Sequence, residues 1–263
     1  MLSQLLYLSV VISLKITDGV YMVGSGQIRL SNPFDCHVYL LDCGGELTLI
    51  DAGVGLETEL IIENIRAEGF DEREISHLLL THCHADHAGG CAEMKRLTGC
   101  EVVCTEVEGE LLERGTDHEI GLDVAKRSLI YPKDYKFKHC KPDRMVKDGE
   151  NIQIGRYNIR VIIVPGHSWA PACYLLDRDG YRILFSSDVV FLGGTIGLGN
   201  WPGSSLKEYR RNIGKLSGLK VDALLPGHFL WTLHDGQSSL DRAVENLGLA
   251  WVPPAWEHRH PHY

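Results

Sequence analysis

Residues 81–90 read Thr81-His82-Cys83-His84-Ala85-Asp86-His87-Ala88-Gly89-Gly90, directly after the apolar run His77-Leu78-Leu79-Leu80. Four metal-capable side chains fall within six residues at the exit of a buried strand. Neutral imidazole suits zinc, and a carboxylate adds a hard anionic ligand. Side chains alternate along a strand, so His82, His84 and Asp86 could share one face while His87 falls out of phase. The chain therefore has to turn after His84, and Ala85 and Ala88-Gly89-Gly90 supply small residues for that turn. Two of the four side chains can then face one ion and two another. The stretch predicts a two-metal site.

The plain alternative is a histidine-rich surface loop that holds no ion. The downstream sequence argues against it. Val161-Ile162-Ile163-Val164-Pro165-Gly166-His167 is an apolar run ending in a turn and a histidine. Ile183-Leu184-Phe185-Ser186-Ser187-Asp188 ends in an aspartate, and Ala223-Leu224-Leu225-Pro226-Gly227-His228 repeats the first design. Each time a buried strand stops and one ligand-type residue sits at its mouth, where a rigid scaffold can hold a site. Alone, His167 or His228 would read as a turn or core histidine; the recurrence reverses that reading.

With Leu49-Ile50-Asp51-Ala52-Gly53 added, the chain resembles the metallo-β-lactamase superfamily. The matching segments occur in family order and span positions 49–228. The resemblance implies an αββα sandwich, two mixed β-sheets packed face to face with helices outside and the metals at one edge. It implies that His82, His84 and His167 hold one metal, that Asp86, His87 and His228 hold the other, and that Asp188 bridges them. Asp51 matches a position that supports the site by holding a ligand. The implied cofactors are two zinc ions per chain, with iron or manganese as alternatives.

Composition agrees with one compact domain over residues 1–263. Hydrophobic residues at 44% and charged residues at 23% are ordinary globular values, which excludes a disordered chain. Strands are expected at 16–23, 36–41 and 47–50 from their alternation and β-branched content. Helical spacing of apolar residues marks 57–68, 92–97, 106–112, 122–129, 205–216 and 238–247, and Gly69 closes the first of these. The polar stretch 131–143 reads as an irregular loop. Segments 40–90 and 160–190 share the order strand, turn, strand, ligand turn, which suggests two similar halves.

Residues 1–14 are apolar but lack a basic start and a small-residue cleavage site, so they read as a first strand or a leader, with a secretory signal as the alternative. They are too short to span a bilayer. The histidine-alternating tail, 251–263, reads as a flexible terminus. Cysteines 36, 43, 83, 91, 100, 104, 140 and 173 form no CxxC pair. That argues against a thiolate zinc knuckle and for a reducing, cytoplasmic setting. Cys83, between two ligands, should point away from them by alternation. A net charge of −9 opposes nucleic acid as a partner. No membrane partner is indicated; a homodimer is compatible with the sequence but nothing requires one.

Two such ions can share one water whose pKa falls towards about 7, giving a bridging hydroxide to attack an ester-type carbon or a phosphorus. Asp86, a ligand, could also carry the proton to the leaving group. No G-x-S-x-G motif supports a serine mechanism. Within the resemblance, His84 stands where the di-iron redox branch has a glutamate, and Asp188 stands where true β-lactamases lack an aspartate. The ligand set is similar to glyoxalase II-type thioesterases and acyl-homoserine lactonases. The residues after His228 are too few for the former's helical glutathione-binding domain, and Phe191 replaces a tyrosine of the latter. Trp169, Phe191, Trp201 and Phe229 follow ligands and are expected to line an apolar pocket for a small, partly apolar substrate. A lactone is the first substrate to expect, with a thioester or phosphoester as alternatives. A non-catalytic metal-binding interaction fold is the competing class.

Overall fold

The computed structural model describes residues 13–255, so residues 1–12 and 256–263, including most of both terminal segments discussed above, lie outside it. Twelve strands, seven α-helices and three short 3₁₀ turns occur among the described residues. The chain opens with β1 (Leu14–Thr17) and β2 (Val20–Gly24). The single strand expected at 16–23 is therefore a hairpin. Asp18-Gly19 is its two-residue loop, with Thr17 paired to Val20 and Gly19 at φ +65°, the left-handed conformation such tight turns need. β3 (Val38–Asp42), β4 (Leu47–Ile50), α1 (Thr58–Ala67) and β5 (Ile75–Leu79) follow. Then come α2 (Ala85–Ala88), within the histidine cluster, α3 (Cys91–Thr98), β6 (Glu101–Thr105), α4 (Glu106–Arg114) and α5 (Leu122–Arg127).

The second half holds β7 (Arg144–Val146), β8 (Asn151–Ile154), β9 (Tyr157–Ile163), β10 (Ala172–Arg178) and β11 (Tyr181–Ser187). It ends with α6 (Leu206–Asn212), β12 (Ala223–Pro226) and α7 (Gly236–Gly248). The helix expected over 205–216 is α only to Asn212 and finishes as a 3₁₀ turn, Ile213–Leu216. Residues 131–143 contain no regular element, as their polarity predicts.

Strands β1 to β7 form one sheet in chain order, and the second sheet runs β12-β11-β10-β9-β8. The first is antiparallel from β1 to β4 and parallel from β4 to β7. The two sheets pack face to face. Tyr39 and Leu41 of β3 point inward with Ile50 and Leu79, against Ile159, Val161, Tyr174 and Phe185 of the second sheet. Val38 and Leu40, one residue out of phase, point the other way to meet Ile61 and Ile65 of α1. Leu184 likewise leaves the inner layer to pack on Leu240, Ala243 and Leu247 of α7. Strands buried on both faces explain the continuous apolar runs in the sequence. The fold is an αββα sandwich. No described helix is long and apolar enough to cross a membrane.

Candidate metal centre

All of the ligand-type residues sit where strands stop at one edge of the sandwich. Four follow β5 in the first sheet; His167, Asp188 and His228 follow β9, β11 and β12 in the second. After β5 the chain stays extended through His84 (φ −69°, ψ 151°), which caps the single-turn helix α2. His82 and His84 are thus presented by extended backbone, and Asp86 and His87 by the helical turn. The out-of-phase fourth residue is accommodated by that change of period.

Two clusters result. In the first, His82 Nε2 and His84 Nδ1 are 2.9 Å apart, and His167 Nε2 lies 3.1 and 3.0 Å from them. The opposite ring nitrogens of His167 and His82 are occupied. His167 Nδ1 donates to the Gly197 carbonyl at 2.6 Å, and His82 Nδ1 lies 3.1 Å from Ser187 Oγ. In the second, His228 Nε2 is 3.0 Å from Asp86 Oδ2, and His87 Nε2 is 3.6 Å from the same oxygen. Asp188 stands between the clusters: Oδ2 lies 3.7 Å from His167 Nε2 and 3.5 Å from His228 Nε2, while Oδ1 is 3.5 Å from His87 Nε2. Gly227 permits this closeness, since a Cβ there would meet Asp188 Oδ1 at 2.3 Å.

Asp51 is not in either cluster. Its Oδ2 accepts from His87 Nδ1 at 2.8 Å and from Thr81 Oγ1 at 2.9 Å, and its Oδ1 from the Thr81 N–H at 2.8 Å. Such an outer carboxylate fixes the imidazole so that Nε2 faces the site. Asp51, Ser187 and Phe229, each beside the site, adopt left-handed backbone at φ +64°, +53° and +65°. Strain of this kind gathers where a fold holds functional groups in place.

The electrostatics divide along the same line. Burial, reinforced by neighbouring histidines, pushes His84 down to about 3 and His82 well below its ordinary value; burial also lowers His167. All three are neutral nitrogen donors at ordinary pH. Burial opposes ionisation of Asp86 and Asp188 too, but His87 and His228 outweigh it and hold both carboxylates low. Against the burial penalty, His87 is raised by Cys36 and by the Asp86, Asp188 and Asp51 carboxylates, and His228 by Asp188 and Asp86. Two buried atoms, His87 Nε2 and Asp188 Oδ1, make no hydrogen bond. Buried polar atoms are rarely left so. A borderline cation held by imidazoles and carboxylates would satisfy them, and the donor set fits one.

Of the expected pocket aromatics, Trp201 alone lines the cavity of about 310 Å³ beside the clusters. Trp169 is 47% exposed and turns its indole N–H to the Glu119 carbonyl; Phe191 is buried in edge-to-face contact with Phe229. These three lie outside the cavity because closeness to a ligand in sequence does not set side-chain direction. The wall comes instead from Ile120, Leu122, Val124, Ala125 and Ile130 on and around α5, which the sequence marks only as a helix.

Two further residues escaped sequence reading. Tyr131 lines the cavity and donates its hydroxyl to Asp86 Oδ1 at 2.8 Å. Glu108, 1% exposed, accepts from the Cys83 N–H (3.0 Å), Ser168 Oγ (2.7 Å) and the Ala170 N–H (2.8 Å). It ties the loop of His82 and His84 to the loop of His167. The Thr105-x-x-Glu108 spacing is that of a helix capping box, which disguises this second use. Cys83 is buried and away from the clusters, and all eight cysteines are free.

Fold and edge site together define a metal-dependent hydrolase scaffold. A model of the metallo-β-lactamase superfamily matches residues 31–228, and the chain belongs to that superfamily. It is 32% identical over 199 residues to the acyl-coenzyme A thioesterase MBLAC2 of Gallus gallus, covering 69% of this chain and 68% of that one. The hydroxyacylglutathione hydrolase of Methylococcus capsulatus is 27% identical over 83% of this chain and 77% of its own length. Among solved structures, the subclass B3 metallo-β-lactamase BJP-1 of Bradyrhizobium japonicum superposes with a TM-score of 0.69 at 26% identity, over 89% of this chain and 90% of that one. These similarities support a hydrolase of thioester or ester bonds.

Proposed function

We propose that the chain is a dinuclear metallohydrolase that cleaves a thioester of a small, partly apolar acid. His82, His84 and His167 would hold one ion and Asp86, His87 and His228 the other, with Asp188 between them; zinc suits this donor set best. Bound there, the ions would supply Lewis acidity and an activated water near neutral pH. The chain itself does the rest. Asp51, Thr81, Ser187 and Gly197 orient the imidazoles. Asp86 can accept the proton of the attacking water and return it to the leaving sulfur, while Tyr131 fixes its other oxygen. The cavity wall offers an apolar surface beside the reacting carbonyl.

The observation that carries this reading is the facing pair His87 Nε2 and Asp188 Oδ1, buried, without hydrogen bonds and 3.5 Å apart at the centre of the convergence. The sequence favoured a lactone. The thioesterase relatives move a thioester ahead of it, and the absence of Lys and Arg from the cavity lining disfavours a phosphoester. Metal analysis of the purified protein, with thioester, lactone and phosphoester substrates offered in parallel, tests this. About two equivalents of zinc and turnover of thioesters is the expected result. Stoichiometric metal with no turnover of any of the three classes would favour a non-catalytic metal-binding fold.

A further inference from the structure

We infer that the cavity beside the centre is the acyl slot of the substrate, with room for about eight to ten carbons. This rests on the thioester reading above. The cavity measures about 310 Å³; counting each methylene as about one water volume, ~30 Å³, it holds roughly ten. Ile120, Leu122, Val124, Ala125, Ile130 and Trp201 form its wall, and its floor is made by ligand-type residues of both clusters. No Lys or Arg lines it, and the Tyr131 hydroxyl is committed to Asp86. A charged thiol carrier finds no counter-charge inside. An alkyl chain, in contrast, removes apolar wall from water. The carbonyl therefore sits over the floor, the chain runs along α5, and the thiol points to solvent. Hydrolysis adds the water oxygen to the carbonyl carbon, breaks the C–S bond and places a proton on sulfur, leaving the fatty acid in the slot.

Parts of the wall are held by hydrogen bonds, so its volume is set partly by fixed groups. Trp201 Nε1 donates to the His167 carbonyl at 2.9 Å, and its ring stands edge-on, 5.4 Å from those of His84 and His167. Trp169 Nε1 holds the Glu119 carbonyl, next to Ile120, at 3.1 Å. Gly121, at φ +71°, opens α5 where a Cβ would approach Trp201 Cβ to 3.3 Å.

The test uses the full, metal-loaded chain. Acyl thioesters from two to sixteen carbons are assayed for kcat/KM, and butyrate, octanoate, decanoate and palmitate are titrated calorimetrically. Affinity and kcat/KM should rise about fourfold per methylene up to roughly ten carbons and then stop rising or fall. Ala125→Phe, which fills the slot, should move that limit to four carbons or fewer; Ile130→Ala should lengthen it. An indifferent chain-length profile, or a limit that neither variant moves while circular dichroism shows both folded, overturns the inference. If Ala125→Phe fails to fold, Ile130→Ala decides alone. Carboxylates that bind with the expected limit while no thioester is turned over would sink the thioester reading and leave the slot standing.

Discussion

The two halves of the centre are built on opposite electrostatic plans. The half formed by His82, His84 and His167 consists of neutral imidazoles, with the outer nitrogens of His167 and His82 held by a carbonyl and by hydroxyls. The half formed by Asp86, His87 and His228 mixes carboxylate and imidazole, and it touches the cavity through Tyr131. One is a neutral cradle and the other is charged; both reach the cavity floor, and the charged half is also tied to the cavity wall by the Tyr131–Asp86 hydrogen bond. The first plan suits steady retention of a cation, and the second suits handling the proton and leaving group.

The largest effects should come from deleting a nitrogen from either half. His167→Ala and His87→Ala should each lose one equivalent of metal by elemental analysis. Activity should fall by at least about 1,000-fold, equivalent to the several kcal/mol a catalytic ion supplies. Unchanged metal content and rate in His87→Ala would show that the charged half is no ligand set at all. Supporting residues should separate the halves more gently. Asp51→Asn should weaken metal affinity about 10–100-fold through His87, and chelator competition should show one of two ions affected. Glu108→Gln should weaken the other ion by loosening the loops on either side of the neutral cradle. If both variants disturb the same ion, the division drawn above is wrong. Tyr131→Phe should lower kcat about tenfold with KM little changed, the size expected for a lost hydrogen bond to a charged group. Loss of KM alone would make the hydroxyl a substrate contact and free it of any role through Asp86.

The smallest effect is on the stability of metal-free protein, and its sign differs between halves. His84 titrates at about 3 when folded and near 6.5 when unfolded, so in that window the unfolded chain binds the extra proton and stability rises with pH. His87 and His228 are raised on folding; their contribution is complete below about pH 6.5 and is lost as pH climbs through their folded values. Imidazole ¹⁵N shifts of chelated protein followed over pH should show these two keeping their proton to higher pH than His82, His84 and His167. Five identical titrations would remove the contrast.

The convergence of seven side chains is legible because four apolar runs each end in residues capable of ligation, four of them after one run and one after each of the others, a pattern local enough for sequence to display. Strands β6, β7, β8 and β10 were missed. β7 and β8 are three and four residues long and too brief to show alternation, while β10 is an almost uninterrupted apolar run, ambiguous between strand and buried helix. The Asp18-Gly19 turn is hidden in sequence because good strand formers flank it on both sides. The pocket wall could not be read at all. Ile120 to Ile130 meet His84 and Trp201 only in three dimensions, and nothing in their spacing distinguishes a wall from an ordinary amphipathic face. Trp169, Phe191 and Phe229 show the converse, since aromatic rings beside ligands in sequence turn outward or into the core.

Four of the converging residues ride on the first sheet and three on the second. An ion seated among them would therefore act as a rivet through the whole sandwich. Its removal should let the layers separate more easily, lowering the melting temperature in proportion to the lost binding free energy, so that thermal stability becomes a gauge of metal supply.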